Sequence, residues 1–292
     1  MGGPVDIRFP TEIHLYDDAI EKVVEDVSSK YSSCLVITGG SRTRSAQLYS
    51  ALTHALHARL GALTIVNGIH SNPRDEEILE AANRAADADP ECILSIGGGS
   101  VHDAAKIVSV LAKQPHPIEM LTVEQQGYLT IARDVIPVIC VPLLVGTGAE
   151  VSPASLVRMK EQKRIVFSPH MYPQSTYYST SHIGTQDMQL NVLTAFDAFV
   201  HSLEAFVSRK GNRWADMYAM AGIQNSIEGI MELSRSGGSA NTWRQLSHAS
   251  AQGLLAVANS SVGAIHALSD PLSGIYDIHH GPALALIAPQ II

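Results

Sequence analysis

The residues best suited to chemistry in this 292-residue chain are Asp197 and His201, followed far downstream by His266 and His280. An Asp and a His four apart lie one above the other on a helix, so both side chains leave the same face. Two further imidazoles from a later segment would complete an N/O donor set suited to a divalent transition metal. An ion held there could polarise a carbonyl or hold an alkoxide. Alone, such an Asp/His pair is more simply a solvated or capped pair. The apolar settings of His266 (Ala264-Ile-His-Ala-Leu268) and His280 (Ile278-His-His-Gly281) favour a shared ion over separate core hydrogen bonds, because buried imidazoles need partners.

Upstream lies a glycine run, Gly97-Gly98-Gly99-Ser100, preceded by Ile93-Leu-Ser-Ile96 and followed by Val101-His-Asp103-Ala-Ala-Lys106. This reads as strand, tight turn and helix start. Glycines let a backbone approach a phosphate closely, and the free N–H groups of a helix N-terminus bind anions. The spacing is not G-x-G-x-x-G, and a turn that merely needs glycine is the alternative. Three glycines and a serine exceed what a turn needs, so a pyrophosphate is the expected ligand. A second turn, Val145-Gly146-Thr147-Gly148-Ala-Glu150, is equally a turn or a ligand contact. A third, Thr38-Gly39-Gly40-Ser41-Arg42-Thr-Arg44, lacks the acidic residue that often binds a ribose hydroxyl pair. Its small residues and two arginines would suit a 2′-phosphate, hence NADP(H) over NAD(H); a solvated basic turn accounts for them equally well.

These residues must be positioned by regular elements. Apolar, β-branched runs at 33–37, 63–67, 92–96 and 135–141 alternate with helical patterns at 44–60, 74–88 and from the glycine run to about 111. Continuous apolar strands interleaved with helices predict a parallel sheet covered on both faces, and right-handed crossovers make it an open, doubly wound, Rossmann-like α/β sheet. From about residue 181 amphipathic helical patterns take over, at 190–208, 213–235 and 242–259. The expected organisation is a dinucleotide-binding α/β domain over 1–180 and an all-α, metal-binding domain over 181–292. The chain stops at Pro289-Gln-Ile-Ile292, directly after an apolar helical run, so the helical domain reads as shortened.

Composition narrows the function classes. Hydrophobic residues make up 46% and charged residues 16%, which excludes a disordered chain. A net charge of -8 argues against nucleic acid or an anionic membrane as partner. Cys34, Cys92 and Cys140 each sit in an apolar run and read as buried free thiols, in keeping with a reducing cytoplasm. No apolar run approaches the roughly 18 residues of a membrane span, and no N-terminal signal pattern is present, so a cytoplasmic location is expected.

The ordered motifs resemble the iron-containing (group III) alcohol dehydrogenases, a branch of the dehydroquinate synthase-like fold. The likeness runs through Gly97-Gly-Gly-Ser-Val-His-Asp103-Ala-Ala-Lys106, Pro142-Leu-Leu-Val-Gly146-Thr147-Gly-Ala-Glu150, Asp197-Ala-Phe-Val-His201-Ser-Leu-Glu204, and His266 with His280-Gly281. Asn72-Pro73, Lys163 and Ser168-Pro169 also fall where the family has comparable residues. The resemblance implies Asp197, His201, His266 and His280 as ligands of Fe(II), or occasionally Zn(II). It implies a dinucleotide whose pyrophosphate lies on Gly98, Gly99 and Ser100, with further cofactor-binding residues at Asn72, Asp103, Leu143, Thr147 and Lys163. Gly39, Gly40 and Ser41 would face the adenosine ribose, which in this family goes with NADP(H). A homodimer is implied as well.

The chain departs from the family pattern in three ways. Leu143 and Leu144 stand where two threonines are common, removing two hydroxyls from the cofactor pocket. Asp270 stands where a further histidine is usual, and should disfavour anionic substrates while favouring neutral or cationic ones. Members of the family are also longer. The implied activity is a metal-dependent, NAD(P)-linked interconversion of a small alcohol and its aldehyde or ketone, with Asp270 and His280 as catalytic residues and His279 or solvent as an aid to proton exchange. Alternatives are a polyol-phosphate dehydrogenase or cyclase on the same fold, for which basic residues are few after position 181, and a shortened, catalytically weak homologue acting as a binding or assembly partner.

Overall fold

The computed structural model describes residues 9–40, 46–160, 162–185 and 187–292. The four apolar runs become strands β2 (Ser33–Gly39), β3 (Ala62–Ile69), β4 (Cys92–Gly97) and β5 (Val138–Pro142), joined by β1 (Glu12–Tyr16) and β8 (Ser175–Ser179). Among the described residues they form one six-stranded sheet of order β1-β8-β5-β4-β2-β3, with every pairing parallel. Alternate side chains feed opposite faces. Leu35, Ile37, Ile93 and Cys140 pack with helices α3 (Asp75–Ala88) and α4 (Gly99–Leu111). Cys34, Val36, Leu94 and Val141 pack with α1 (Ile20–Lys30) and α2 (Ala46–His57). Burial on both faces is why these strands carry uninterrupted apolar sequence.

Two strands escape the sequence pattern. β1 is an edge strand with a half-exposed EIHLY sequence. β8, STYYS, is wholly buried yet polar; its Tyr177 and Tyr178 hydroxyls donate to Asp26 (2.7 Å) and Glu150 (2.8 Å). A buried tyrosine is stable when its hydroxyl finds a partner, and no local pattern signals that partner. β5 begins three residues later than the run at 135 suggests. Pro137 has no N–H to give the ladder, and the Ile136 N–H is spent on Ser109 O at 3.1 Å. A separate antiparallel hairpin, β6 (Ala154–Met159) with β7 (Gln162–Phe167), also lay outside the expected pattern.

After the sheet come α5 (Met188–Val207), α6 (Arg213–Ser236), α7 (Ala240–Ala258), α8 (Ala264–Tyr276) and α9 (His280–Ile291). The expectation that no segment is apolar enough for a membrane span is corrected by α5, which has the length and hydropathy. Its apolarity serves another end: 56% of its apolar window is buried, packed against α6, α7 and α9. The helix is apolar over most of its surface because it packs on several sides within the bundle, and its Asp197, His201 and Glu204 are buried with the rest.

Sheet topology fixes where a ligand can enter. The helix after β2 lies on one face and the helix after β4 on the other, and β2 and β4 are neighbours. The carboxyl ends of β2 and β4 therefore flank the point where the winding reverses, which is where open α/β sheets bind ligands.

Candidate active site

A cleft of about 1380 Å³ opens at that reversal and runs to the helical layer. Gly39 and Gly40 line it from β2, Gly97 to Ser100 from the β4–α4 turn, and Leu143, Leu144 and Thr147 from the segment after β5. Helix α4 starts at N-cap Gly98 with no side-chain cap, which leaves its first amides for a ligand. A Cβ on Gly99 would lie 2.7 Å from Thr147 Oγ1, so only glycine gives the backbone this close approach. The 146–148 turn is held in turn by Ser250 of α7, whose Oγ accepts from the N–H groups of Gly146 (2.8 Å) and Gly148 (3.1 Å) and donates to Glu150 Oε1 (2.8 Å). Burial pushes the Glu150 carboxyl up despite its hydrogen bonds.

Other expected cofactor residues have partners of their own. Asp103 is paired with the buried Lys106 ammonium at 3.1 Å, and Lys106 also donates to the carbonyls of Ala149, Ser152 and Ala154. Burial raises the Asp103 carboxyl, with Lys106 opposing. The Asn72 side-chain amide donates to Asp277 Oδ1 at 3.1 Å. Lys163 lines the cleft from β7, its ammonium depressed by burial while Asp270 and Asp103 act against that shift. Ser41, Arg42 and Arg44 lie outside the described residues.

At the helical end of the same cleft, α5 presents Asp197 and His201, α8 presents His266 and Asp270, and the start of α9 presents His280. One donor atom from each of Asp197, His201 and His266 lies within 4.8 Å of the others, and all three residues are buried. Asp197 Oδ1 is 3.3 Å from His201 Nδ1, 3.4 Å from His266 Nε2 and 3.7 Å from His280 Nε2. His280 thus stands beside the tight triad, and its Nδ1 is 3.7 Å from Asp270 Oδ1. Asp197 Oδ1, His201 Nδ1, His266 Nε2 and Asp270 Oδ1 have no hydrogen-bond partner within the protein. Buried donors and acceptors rarely stay unpaired, and one carboxylate with imidazoles is a donor set that fits Fe(II) or Zn(II).

Buried together, the carboxylate and the imidazoles shift one another in opposite directions. Burial alone would raise the Asp197 carboxyl, but His201, His280 and His266 outweigh it and hold it well below the carboxylate range. Burial depresses His201 to about 4 and His280 to about 3. His266 goes the other way, to about 9: burial is outweighed by the Asp197 and Glu204 carboxylates.

Glu204 had no assigned role in the sequence. Its Oε2 is 2.6 Å from His266 Nδ1, and its Oε1 accepts from the Ile265 N–H at 2.6 Å. That bond fixes the ring and leaves Nε2 facing Asp197. The signal was present: Asp197, His201 and Glu204 fall at i, i+4 and i+7 on one helical face. His279 is exposed and shares a hydrogen with Ser71 Oγ at 2.9 Å.

Comparison with known proteins agrees with this architecture. Residues 10–179 match the model for iron-containing alcohol dehydrogenase, and residues 191–292 match that for the Fe-containing alcohol dehydrogenase family, C-terminal. The chain belongs to the iron-containing alcohol dehydrogenase family. It is 28% identical over 228 residues to a 4-hydroxybutyrate dehydrogenase of Cupriavidus necator, covering 76% of this chain and 59% of the relative. It is 24% identical over 231 residues to a 1,3-propanediol dehydrogenase of Klebsiella pneumoniae, covering 78% and 59%. The chain thus spans about three fifths of the length of these curated relatives. The fold matches an alcohol dehydrogenase from Oenococcus oeni with a TM-score of 0.91 at 23% identity, covering 98% of this chain and 75% of that one.

Proposed function

We propose that this chain carries the dinucleotide and metal sites of an oxidoreductase that interconverts a small alcohol with its aldehyde or ketone. The observation that carries this reading is the set of unpartnered buried donors on Asp197, His201 and His266, opening into the same cleft as the uncapped α4 N-terminus. Asp197, His201 and His266, with His280 beside them, would hold Fe(II) or Zn(II), and the glycine loop would hold the pyrophosphate of NADP(H) or NAD(H). Bound together, the ion supplies Lewis-acid polarisation of the substrate oxygen and the nicotinamide supplies hydride exchange.

The protein's own part is positioning and proton handling. Glu204 holds the Nδ1 side of His266, so that Nε2 is the nitrogen turned to Asp197 and would be the one to bind the ion. Asp270 lines the cleft, and its Oδ1 makes no hydrogen bond within the protein, so its carboxyl is an acceptor for the substrate's hydroxyl proton. Burial raises the Asp270 carboxyl, with Lys163 the largest opposing charge, and an acidic group at this position disfavours a carboxylate on the substrate. A neutral aldehyde should then exceed a carboxylate-bearing one of equal length about tenfold in kcat/KM, a difference of about 1.4 kcal/mol; equal values would remove this assignment. The absence of an acidic residue in Thr38-Gly39-Gly40 supports NADP(H) over NAD(H).

The test is anaerobic purification with metal quantification on the wild type and on His266→Ala, together with NADPH and NADH titrations followed by cofactor fluorescence. Near-stoichiometric metal in the wild type, its loss in the variant, and tighter NADPH than NADH binding are expected. Full metal retention by His266→Ala, or no dinucleotide binding, would overturn the reading.

A further inference from the structure

We infer that Asp277 is a positioning residue that ties the His280-bearing turn to the glycine loop and so couples dinucleotide binding to metal binding; this rests on the function proposed above. Asp277 caps α8 with φ +54° and Asn72, in the β3–α3 connection, has φ +55°. Left-handed backbone is uncommon outside glycine, and persists where surrounding contacts over-determine it. Here the two residues hold each other. Asn72 Nδ2 donates to Asp277 Oδ1 at 3.1 Å, and Arg158 of β6 meets Asp277 Oδ2 at 3.1 Å. Arg158 is itself fixed to the same connection, its N–H donating to Pro73 O at 2.8 Å.

Both ends of this clasp lead to a ligand site. The Asn72 N–H donates to Ser100 Oγ at 3.3 Å, inside the first turn of α4. On the other side, Ser71 holds His279 at 2.9 Å, and His280 follows directly, with its Nε2 3.7 Å from Asp197. The residues 71 and 72 therefore grip 277 and 279 at alternate positions, immediately before the ligand histidine. A pyrophosphate seated on Ser100 and an ion seated by His280 each restrict the same short clasp. Ordering it for one ligand lessens the cost of ordering it for the other, which is positive coupling.

The test is Zn(II) affinity by chelator competition, with and without saturating NADPH, on the wild type, Asp277→Gly and Asp277→Asn. Glycine accepts φ +54° but removes the carboxylate. Asparagine keeps both the left-handed backbone and an oxygen for Asn72. NADPH should tighten Zn(II) binding by about fivefold in the wild type, the lower end of usual couplings. The factor should fall to about one in Asp277→Gly and stay within about twofold of wild type in Asp277→Asn. If circular dichroism shows Asp277→Gly unfolded, Asn72→Gly carries the same expectation. A wild-type factor of one, or an undiminished factor in the glycine variant, overturns the coupling alone. A wild type that binds neither Zn(II) nor NADPH overturns the proposed function and the coupling with it.

Discussion

Glu204 illustrates how much a single side chain decides at the residue scale. An imidazole offers two nitrogens, and the carboxylate at 2.6 Å from His266 Nδ1 decides which one is turned toward Asp197. Glu204→Gln should weaken metal binding by about 10- to 100-fold, the usual cost of losing such an outer partner, read by chelator competition; unchanged affinity would refute the role. His102 gives a second residue-scale prediction. It is fully buried, its Nδ1 2.6 Å from Ser95 Oγ, and burial with the Lys106 charge depresses it to about 3. A folded value below the unfolded value of about 6.5 means the unfolded chain takes up a proton that the folded one refuses as pH falls. Stability from this site is thus complete above about pH 6.5 and declines below it, by up to about 2 kcal/mol at pH 5. In urea unfolding at pH 7.5 and pH 5, His102→Asn should lose less stability than wild type over that interval; equal losses would assign the dependence elsewhere.

At the scale of elements, the question is how a helix bundle is held against a sheet edge closely enough to share one cleft. Gly146 does much of this. It has φ +142°, and a Cβ there would fall 1.7 Å from Thr194 O, in the helix that carries Asp197 three residues later. Gly146→Ala would combine backbone strain with overpacking and should cost roughly 2–4 kcal/mol in urea unfolding. Gly40→Ala, whose nearest atom would be 3.9 Å away, should stay within about 0.5 kcal/mol. Similar costs at both positions would show that the turn yields and that α5 is not seated on it. The i, i+4, i+7 spacing on α5 was readable as one face; its contact with the 146–148 turn was not.

At the scale of the molecule, the two halves of the cleft make separable predictions. A ligand that binds only the folded chain stabilises it by about 2.7 kcal/mol at a hundred times its Kd, or roughly 5 °C in Tm for a chain of this size. NADPH and Zn(II) should each give a shift of that order. In Gly99→Ala the added methyl would press on Thr147 at 2.7 Å, so the NADPH shift should shrink while the Zn(II) shift stays. Loss of both shifts together would mean that the variant disturbs the whole cleft and not the phosphate cradle.

The sequence by itself determined the α/β alternation and displayed the glycine loop and the four side chains proposed as ligands, because these are local: a strand buried on both faces must be apolar, and a loop proposed to admit a phosphate must be small. It also carried enough ordered motif to define the family. Only the tertiary structure decided that β8 is a strand, since its tyrosines are stable inside only where Asp26 and Glu150 come to meet them. The same holds for Asn72, whose amide reaches a carboxylate 205 positions away, and for Glu204, whose partner lies 62 positions on. Polar groups are satisfied by partners in space, and spacing along the chain gives no measure of that distance.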